Sequence, residues 1–294
     1  MRRDPSAARA VGLVALVVTV LLGTAYALGR SLVPDPPASS VTTSATGPHY
    51  ADQPPADDSS RQGTPGGDRS PAPAEAGQDG GVDPSGTPGA TGTAGPFGAQ
   101  TTSGTSLVAL TFDDGPDPQY TPQVLALLRR HQVRATFCVV GENAQNHPDL
   151  IQAIVADGHT LCNHSWNHDV NLGRRSPEVI RADLLRTSAA IRAAVPGAPI
   201  AYYRQPGGAW TGPVVSVARE LGMTPLHWTV DPSDWSAPGA GRIATMVVTN
   251  VEPGSVVLLH DAGGDRQGTV DALYRILPSL TSRFQVEALP DGGT

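Results

Sequence analysis

From residue 106 onward, short apolar runs alternate with longer amphipathic stretches. The apolar runs predict buried strands, at about 106–110, 135–141, 160–163, 201–204, 226–230, 255–259 and 285–289. The stretches between them predict helices, at about 121–131, 148–156, 176–195, 213–221, 241–251 and 269–283. About seven strand–helix units in alternation are typical of a parallel sheet wrapped by helices, so the predicted fold class is α/β.

Local signals support the ends of several predicted helices. Thr121-Pro122 and Ser176-Pro177 each place a hydroxyl residue before a proline, which is typical of a helix start. Gly158 follows another helix and suits a left-handed C-terminal cap. The longest helix repeats apolar residues at helical spacing, namely Val179, Ile180, Leu184, Leu185 and Ile191. In barrels of this kind the loops after the strands meet at one face, and we expect the functional side chains there.

The start of the chain has a different pattern. Three arginines stand within residues 1–9, and an apolar run without a charge extends from Ala10 to Leu28. This predicts a signal peptide or a transmembrane anchor at 1–29. The run approaches the roughly 20 residues that a membrane span needs, which favours an anchor, whereas Ala25-Tyr26-Ala27 resembles a signal-peptidase site. Either way the rest of the chain is expected outside the cytoplasm, secreted or membrane-anchored by this single segment.

Composition divides the remaining sequence. Residues 30–104 are rich in Pro, Gly, Ala, Ser, Thr and Asp and have almost no large apolar side chains. They cannot bury enough surface to offset the entropy of ordering, so we predict a disordered linker. Residues 105–294 are long enough for one buried core and form a single predicted domain. The formal net charge of −7 argues against a nucleic-acid partner.

Cys138 and Cys162 are the only cysteines of the chain. Outside the cytoplasm such a pair often forms a disulfide. Both fall in neighbouring predicted strands, where two buried free thiols are an equally good interpretation. The sequence leaves the two states open.

Two aspartates and two histidines form the clearest chemical pattern. Asp113-Asp114-Gly115 follows a predicted strand, and His164 and His168 follow another, four positions apart. One carboxylate and two imidazoles make a three-ligand zinc site with open positions for water and substrate. The second carboxylate is then free to take a proton from that water. The pattern therefore predicts a metal-assisted hydrolase.

Three further polar segments follow predicted strands. Arg204 can hold a carboxylate in its ionised form, and the Gly207-Gly208 backbone can approach a ligand closely. His260 is a candidate general acid, because a carboxylate such as Asp234 raises the pKa of a neighbouring imidazole. Trp235 suits a pocket wall and the core equally well.

In their order along the chain, these segments resemble the polysaccharide deacetylases of carbohydrate esterase family four. The match extends over about residues 106–290, and five ordered motifs carry it: Thr111–Pro116, His164–His168, Arg204–Gly208, Asp231–Trp235 and Leu258–Asp261. The resemblance implies a distorted (β/α)7-type barrel, in agreement with the alternation of strands and helices. It also makes residues 105–294 a polysaccharide deacetylase catalytic domain.

The same resemblance implies a role for each residue. Asp113 is the implied general base, and Arg204 orients it. His260 is the implied general acid, and Asp234 tunes it. The implied ligands of a divalent metal, usually zinc with cobalt as an alternative, are Asp114, His164 and His168. The implied acetyl pocket and oxyanion site are formed by Trp235, Leu259 and the Gly207 amide.

The resemblance further implies removal of N-acetyl groups from a GlcNAc-containing polysaccharide, peptidoglycan or chitin oligomers, with release of acetate. An acetylxylan esterase with the same site and a catalytically idle carbohydrate-binding barrel are the alternatives. Gly207 replaces an aromatic residue that the family often has after this proline, which leaves substrate preference open. We expect a monomer whose partner is an acetylated polysaccharide, with membrane contact only if the N-terminal segment is retained.

Overall fold

The computed structural model describes residues 94–291. The predicted signal or anchor at 1–29 and most of the predicted linker lie outside these residues. Within the described range, none of the helices combines the length and the apolar character needed to cross a membrane.

A wholly parallel sheet of six strands organises the described part of the chain. The strands are β1 (Ala109–Asp113), β2 (Thr136–Val139), β3 (Thr160–Asn163), β4 (Tyr202–Tyr203), β5 (Thr224–Pro225) and β6 (Val256–His260). Their order in the sheet is β5-β4-β3-β2-β1-β6. Because every pair is parallel, all six carboxyl ends lie at the same edge of the sheet.

The segment from Thr224 to Val230 connects the two outer strands and closes the sheet into a distorted barrel. Its start is β5, and at its end Val230 forms a bridge with Val257 of β6. The Leu258 N–H donates a hydrogen bond to the Val230 carbonyl at 2.9 Å. The predicted distorted (β/α) barrel is thus confirmed.

Two predicted strands are not continuous strands in the structure. The run at 226–230 forms only isolated bridges, at Leu226 and Val230. The run at 285–289 is reduced to one bridge, between Val286 and Val108. The described barrel therefore has six regular strands, and the prediction of about seven units counted these short bridges as strands.

Seven α-helices cover the sheet in the described range: α1 (Thr121–Arg130), α2 (Gly141–Asn146), α3 (Pro148–Ala156), α4 (Pro177–Ala194), α5 (Gly212–Glu220), α6 (Ala240–Asn250) and α7 (Gln267–Thr281). All except α2 lie within two residues of their predicted bounds. The sequence of α2 is Gly-Glu-Asn-Ala-Gln-Asn, which has one apolar side chain and therefore no periodicity to detect.

Helix α4 shows how far the apolar pattern predicts burial. Ile180, Leu184 and Ile191 are fully buried against the sheet, as their spacing requires. Val179 and Leu185 also fitted the pattern, but they remain 51% and 48% exposed. They are sequence neighbours of the buried residues and lie about 100° away around the helix.

Residues 95–103 lie against the barrel, although the sequence places them in the linker; we call them the N-terminal strap. The Gln100 N–H donates to the Pro225 carbonyl at 2.8 Å, and the His227 N–H donates to the Gln100 carbonyl at 2.7 Å. The Ser103 N–H donates to the Gly254 carbonyl at 2.9 Å. Contacts with the barrel therefore begin before the predicted boundary at residue 105.

The structure joins Cys138 of β2 and Cys162 of β3 by a disulfide. The two residues are register partners in the sheet. Cys138 is also the register partner of Asp113 on β1, so the crosslink lies at the edge that carries the polar side chains. Of the two states that the sequence left open, the structure has the disulfide.

Candidate active site

The side chains predicted to carry chemistry meet at the carboxyl edge of the sheet. Asp113 and His260 are the last residues of β1 and β6 and are register partners. His164 directly follows β3, and Arg204 directly follows β4. A pocket opens at this edge, and its lining includes Asp113, His164, His168, Gly207, Trp235 and His260.

Asp114, His164 and His168 form a buried group of metal-ligand type. One ligand atom from each residue lies within 4.8 Å of the others. The Nε2 atoms of His164 and His168 are each 3.4 Å from Oδ1 of Asp114. This Oδ1 is buried and has no hydrogen-bond partner among the described residues. An unpaired buried carboxylate oxygen that faces two imidazole nitrogens fits a divalent cation.

The protonation of this group also suits a metal. The Nδ1 of His164 is 2.8 Å from the carbonyl oxygen of Arg204, so Nδ1–H donates there and Nε2 keeps its lone pair. Burial lowers the pKa of His168 to about 4, against the opposing charge of Asp114, so this imidazole is neutral near pH 7. Burial alone would raise the pKa of Asp114, but the imidazole of His168 and its neighbours hold it well below its ordinary range.

The loop that carries both histidines is held by side chains of β3 and α4. Ser165 and His168 adopt positive φ angles of 65° and 58°, a costly backbone conformation that needs support. The side-chain oxygen of Asn163 accepts a hydrogen bond from the Ser165 N–H at 3.0 Å. Oδ1 of Asp183 accepts one from the Trp166 N–H at 2.8 Å. These contacts fix the direction in which the imidazoles point.

Asp113 is held by a fully buried arginine. Nη1 of Arg204 donates to Oδ1 of Asp113 at 2.6 Å and to the Thr111 hydroxyl oxygen at 2.8 Å. The same guanidinium donates to the carbonyls of Leu226 and His227, at 3.2 and 3.3 Å. Arg204 thus fixes one carboxylate oxygen, and the other lies 3.6 Å from Nε2 of His164, beside the metal-ligand group.

His260 and Asp234 form a buried pair. Nδ1 of His260 is 2.7 Å from Oδ1 of Asp234. Oδ2 of Asp234 accepts hydrogen bonds from the His260 N–H at 2.9 Å and from the Thr269 hydroxyl at 2.7 Å. Burial acts to lower the pKa of His260, but the Asp234 charge outweighs it and raises the pKa to about 9. His260 is therefore protonated near pH 7 and can donate from Nε2 into the pocket.

The pocket walls agree with the sequence prediction except at one position. Gly207 and Trp235 line the pocket. Leu259 does not, because its side chain is fully buried in the main apolar core. Its neighbour Leu258 lines the pocket instead. Successive side chains of a strand point to opposite faces, so the prediction of Leu259 as a pocket residue was wrong by one position.

Sequence reasoning missed one aromatic and one acidic residue of the pocket, Trp228 and Asp231. Trp228 falls inside the run predicted as a strand at 226–230, which hid its position in a loop. Asp231 is the first residue of the Asp231–Trp235 motif, but no function was predicted for its carboxylate. Gly208 packs against Trp228: a Cβ at Gly208 would lie 2.9 Å from the indole. Gly208, at a positive φ of 62°, therefore makes room for this side chain.

Known proteins that are similar to this chain belong to the family that its sequence motifs resemble. The family model described as polysaccharide deacetylase matches residues 100–226. A chitooligosaccharide deacetylase of Bradyrhizobium sp. (strain ANU 289) is 42% identical over 200 residues, which are 64% of this chain and 91% of that protein.

Solved structures show the same similarity. The crystal structure of the Bc1960 peptidoglycan N-acetylglucosamine deacetylase has a TM-score of 0.59 and 36% identity, over 63% of this chain and 86% of that one. A family-four pseudoenzyme from Bacillus anthracis has a TM-score of 0.58 and 28% identity, over 63% and 64% of the two chains. The fold is thus shared by active and inactive proteins, and chemistry must be argued from the pocket.

Proposed function

Since the chain belongs to the polysaccharide deacetylase family, we propose that it is a metal-dependent hydrolase that removes N-acetyl groups from a GlcNAc-containing polysaccharide and releases acetate. Its reaction class is hydrolysis of a carbon–nitrogen bond in a polysaccharide. The substrates we propose are peptidoglycan or chitin oligomers, which are the substrates named for the similar proteins.

One observation carries the proposal: a single pocket brings together an arginine-bound carboxylate, a three-ligand group and a protonated imidazole. These are the parts that amide hydrolysis needs, namely a base, a site for a Lewis acid and an acid for the leaving amine. The pseudoenzyme relative shows that the fold alone does not ensure activity. The complete set of groups therefore favours an active enzyme over the idle carbohydrate-binding barrel.

Asp114, His164 and His168 would hold the cation, zinc before cobalt. A divalent cation bound there supplies a Lewis acid for the acetyl carbonyl and a binding position for water. Asp113 then accepts the proton of the attacking water, because Arg204 fixes one of its oxygens and the second oxygen lies beside the metal-ligand group.

The later steps fall to the other side of the pocket. Gly207 lies in the lining, and its amide N–H is the group we propose to donate to the oxygen that gains charge. His260 donates its Nε2 proton to the departing amine, while Asp234 stabilises the imidazolium through Nδ1. Trp235 and Leu258 provide apolar surface for the acetyl methyl group. The products are acetate and a free amino sugar.

The test uses the zinc-supplemented full chain on chitin oligomers, peptidoglycan and acetylxylan, with and without a chelator. We expect equal amounts of acetate and free amine from a GlcNAc polymer, loss of both with chelator, and recovery with zinc. Asp113→Asn should slow release by about 100-fold or more, while Asp149→Asn, at an exposed residue of α3, should leave it unchanged. Acetate from acetylxylan without new amine would identify an esterase instead. Sugar binding without any acetate would identify an idle barrel.

We further propose that the protein acts outside the cytoplasm, anchored or secreted through residues 1–29. The disulfide between Cys138 and Cys162 supports an oxidising compartment. Cell fractionation combined with mass spectrometry of the mature N-terminus tests this. Recovery of the chain in the cytoplasmic fraction with its N-terminus intact and its cysteines reduced would contradict it.

A further inference from the structure

Arg266, which immediately precedes α7, is buried behind the residues that line the pocket; its exposed fraction is 4%. The hydrogen bonds of its guanidinium all go to backbone carbonyl oxygens. Nε donates to Ala262 at 2.6 Å, and Nη2 donates to Gly263 at 2.8 Å. Nη1 donates to Trp235 at 3.2 Å and to Asp234 at 3.4 Å. Burying a cation costs free energy unless its N–H groups are hydrogen-bonded, and these bonds to backbone carbonyls offset that cost for Arg266.

The carbonyls that Arg266 binds belong to two loops, and both loops carry the active site. The first is the turn that places Asp234 against His260 and Trp235 in the pocket wall. This turn is flanked by Ser233 and Ala237, both at positive φ, so its backbone needs support from outside.

The second loop follows β6 and packs against the metal-ligand group. Gly263 lies so close to Asp114 that a Cβ there would be 2.4 Å from Oδ2 of Asp114. Thr269, in the first turn of α7, donates to Oδ2 of Asp234. The start of α7 thus holds Asp234 twice, at its side chain through Thr269 and at its backbone through Arg266.

We propose that Arg266 is a positioning residue for the general acid: it ties the Asp234–Trp235 turn to the loop after β6 and so keeps Asp234 in line with Nδ1 of His260. Its action on catalysis rests on the proposed function. Arg266 itself does not reach the pocket lining, and its effect passes through Asp234. Lysine cannot replace it, because one ammonium group cannot reach both loops in the planar arrangement of a guanidinium.

The experiment compares Arg266→Ala and Arg266→Lys with wild type. Arg283→Ala is the matched control, because Arg283 also donates to a backbone carbonyl, that of Val248 at 2.8 Å, but its side chain is exposed and is not part of the pocket lining. On chitin oligomers we expect both Arg266 variants to lose about tenfold or more in kcat with little change in KM, since small displacements of catalytic groups have such effects. Guanidinium ion at non-denaturing concentration should partly restore kcat of Arg266→Ala and leave Arg283→Ala unchanged.

A second measurement does not depend on acetate release. In protein labelled with 15N-histidine, the Nδ1 proton of His260 is assigned through its loss in His260→Gln. We expect this proton resonance to shift upfield in Arg266→Lys, because the hydrogen bond to Asp234 is weakened.

The two measurements separate the hypotheses. An inactive wild type with the expected NMR shift rejects the proposed function and keeps the positioning role. Unchanged kcat and an unchanged resonance in Arg266→Lys overturn the role, and so does a fall in melting temperature alone. If Arg266→Ala does not fold, the comparison of Arg266→Lys with Arg283→Ala decides.

Discussion

Asp113 and Asp114 are adjacent and chemically alike, and their surroundings separate their functions. Asp113 is bound by the Arg204 guanidinium, which fixes one oxygen. Asp114 has a positive φ of 75° and faces His164 and His168 instead. Sequence alone could predict one base and one ligand in this pair. The assignment of each came from a resemblance, and the geometry around each carboxylate supports it.

Exchange of either aspartate for asparagine should therefore have different consequences. Asp114→Asn removes the negative charge of the three-ligand group, and we expect zinc affinity to fall by about 100-fold or more. A loss of about 10- to 100-fold is typical when the changed residue only hydrogen-bonds to a metal ligand. Asp113→Asn should retain zinc and lose about 10²- to 10⁴-fold in kcat, the usual contribution of a general base. Zinc content by elemental analysis and acetate release measure the two effects. Equal zinc loss in both variants would contradict the division.

The charge of Asp234 should set the upper limit of the pH profile. His260 must be protonated to act as an acid, and its pKa is raised to about 9 by Asp234. Activity should hold up to that region and fall as pH rises through about 9. In Asp234→Asn the raising charge is absent, so the decline should move to lower pH, toward the ordinary histidine pKa of about 6.5.

The measurement is kcat/KM for chitin oligomers between pH 5 and about 11. This range extends about two pH units above the expected pKa of His260 of about 9, so the basic limb of the profile can be fitted. Asp271→Asn serves as a control, because Asp271 is exposed on α7. A basic limb at the same pH in wild type and Asp234→Asn would show that another group titrates there.

Other roles at this scale could not be predicted from the sequence. Nothing in the local pattern around Trp228 or Arg266 distinguishes them from ordinary loop residues. Trp228 enters the pocket because Gly208 leaves it room, and Arg266 binds carbonyls of Trp235, 31 positions away in sequence. Such roles depend on tertiary placement, which apolar periodicity does not encode.

Among the elements, β6 shows what periodicity predicts and what it leaves undecided. The run of apolar residues predicted a buried strand, and Val256–His260 is one, buried along its whole length. In a strand buried on both faces, every position is apolar, so the pattern does not show which residues face the pocket. The family resemblance placed Leu259 in the pocket, and the apolar pattern of the strand could not correct it; the structure has Leu258 there.

Alanine substitutions in β6 should separate the two faces. Leu259→Ala leaves a cavity in the main core, and we expect a loss of about 2–5 kcal/mol in the free energy of unfolding with kcat/KM nearly unchanged. Leu258 lines the pocket and is not part of either apolar core cluster of the described residues. Leu258→Ala should therefore raise KM with a smaller loss in the free energy of unfolding. Urea unfolding and steady-state kinetics measure both quantities. The reverse pattern, with KM raised by Leu259→Ala, would restore the original prediction.

For the molecule as a whole, sequence reasoning gave the class, the order of elements and the edge where the site lies. These follow from alternation, since parallel strands must present their carboxyl ends together. Closure of the barrel was less predictable: the segment from Thr224 to Val230 pairs with β4 at its start and with β6 at its end through only a few residues. The N-terminal strap was also missed, because its composition continues that of the linker.

The strap provides a last prediction, on stability and catalysis together. Its Gln100 carbonyl accepts the His227 N–H, and the His227 carbonyl in turn accepts a hydrogen bond from Arg204. A chain that begins at residue 105 lacks the strap. It therefore loses the three backbone hydrogen bonds that Gln100 and Ser103 form with the barrel, and the buried side chain of Ala99. Compared with a chain that begins at residue 94, we expect it to lose about 2 kcal/mol or more of unfolding free energy, as three hydrogen bonds of about 0.5–1.5 kcal/mol suggest.

Because Arg204 orients Asp113, this truncation should also lower kcat more than it raises KM. The point variant Ala99→Asp places a charge at a buried strap position and should act in the same direction. Phe97→Ala, at a strap residue that is 59% exposed, is the matched control and should leave both stability and kcat unchanged. Equal melting temperatures and equal kcat for chains that begin at 94 and at 105 would show that the strap lies on the barrel without supporting it, and that Arg204 is held by the remaining hydrogen bonds alone.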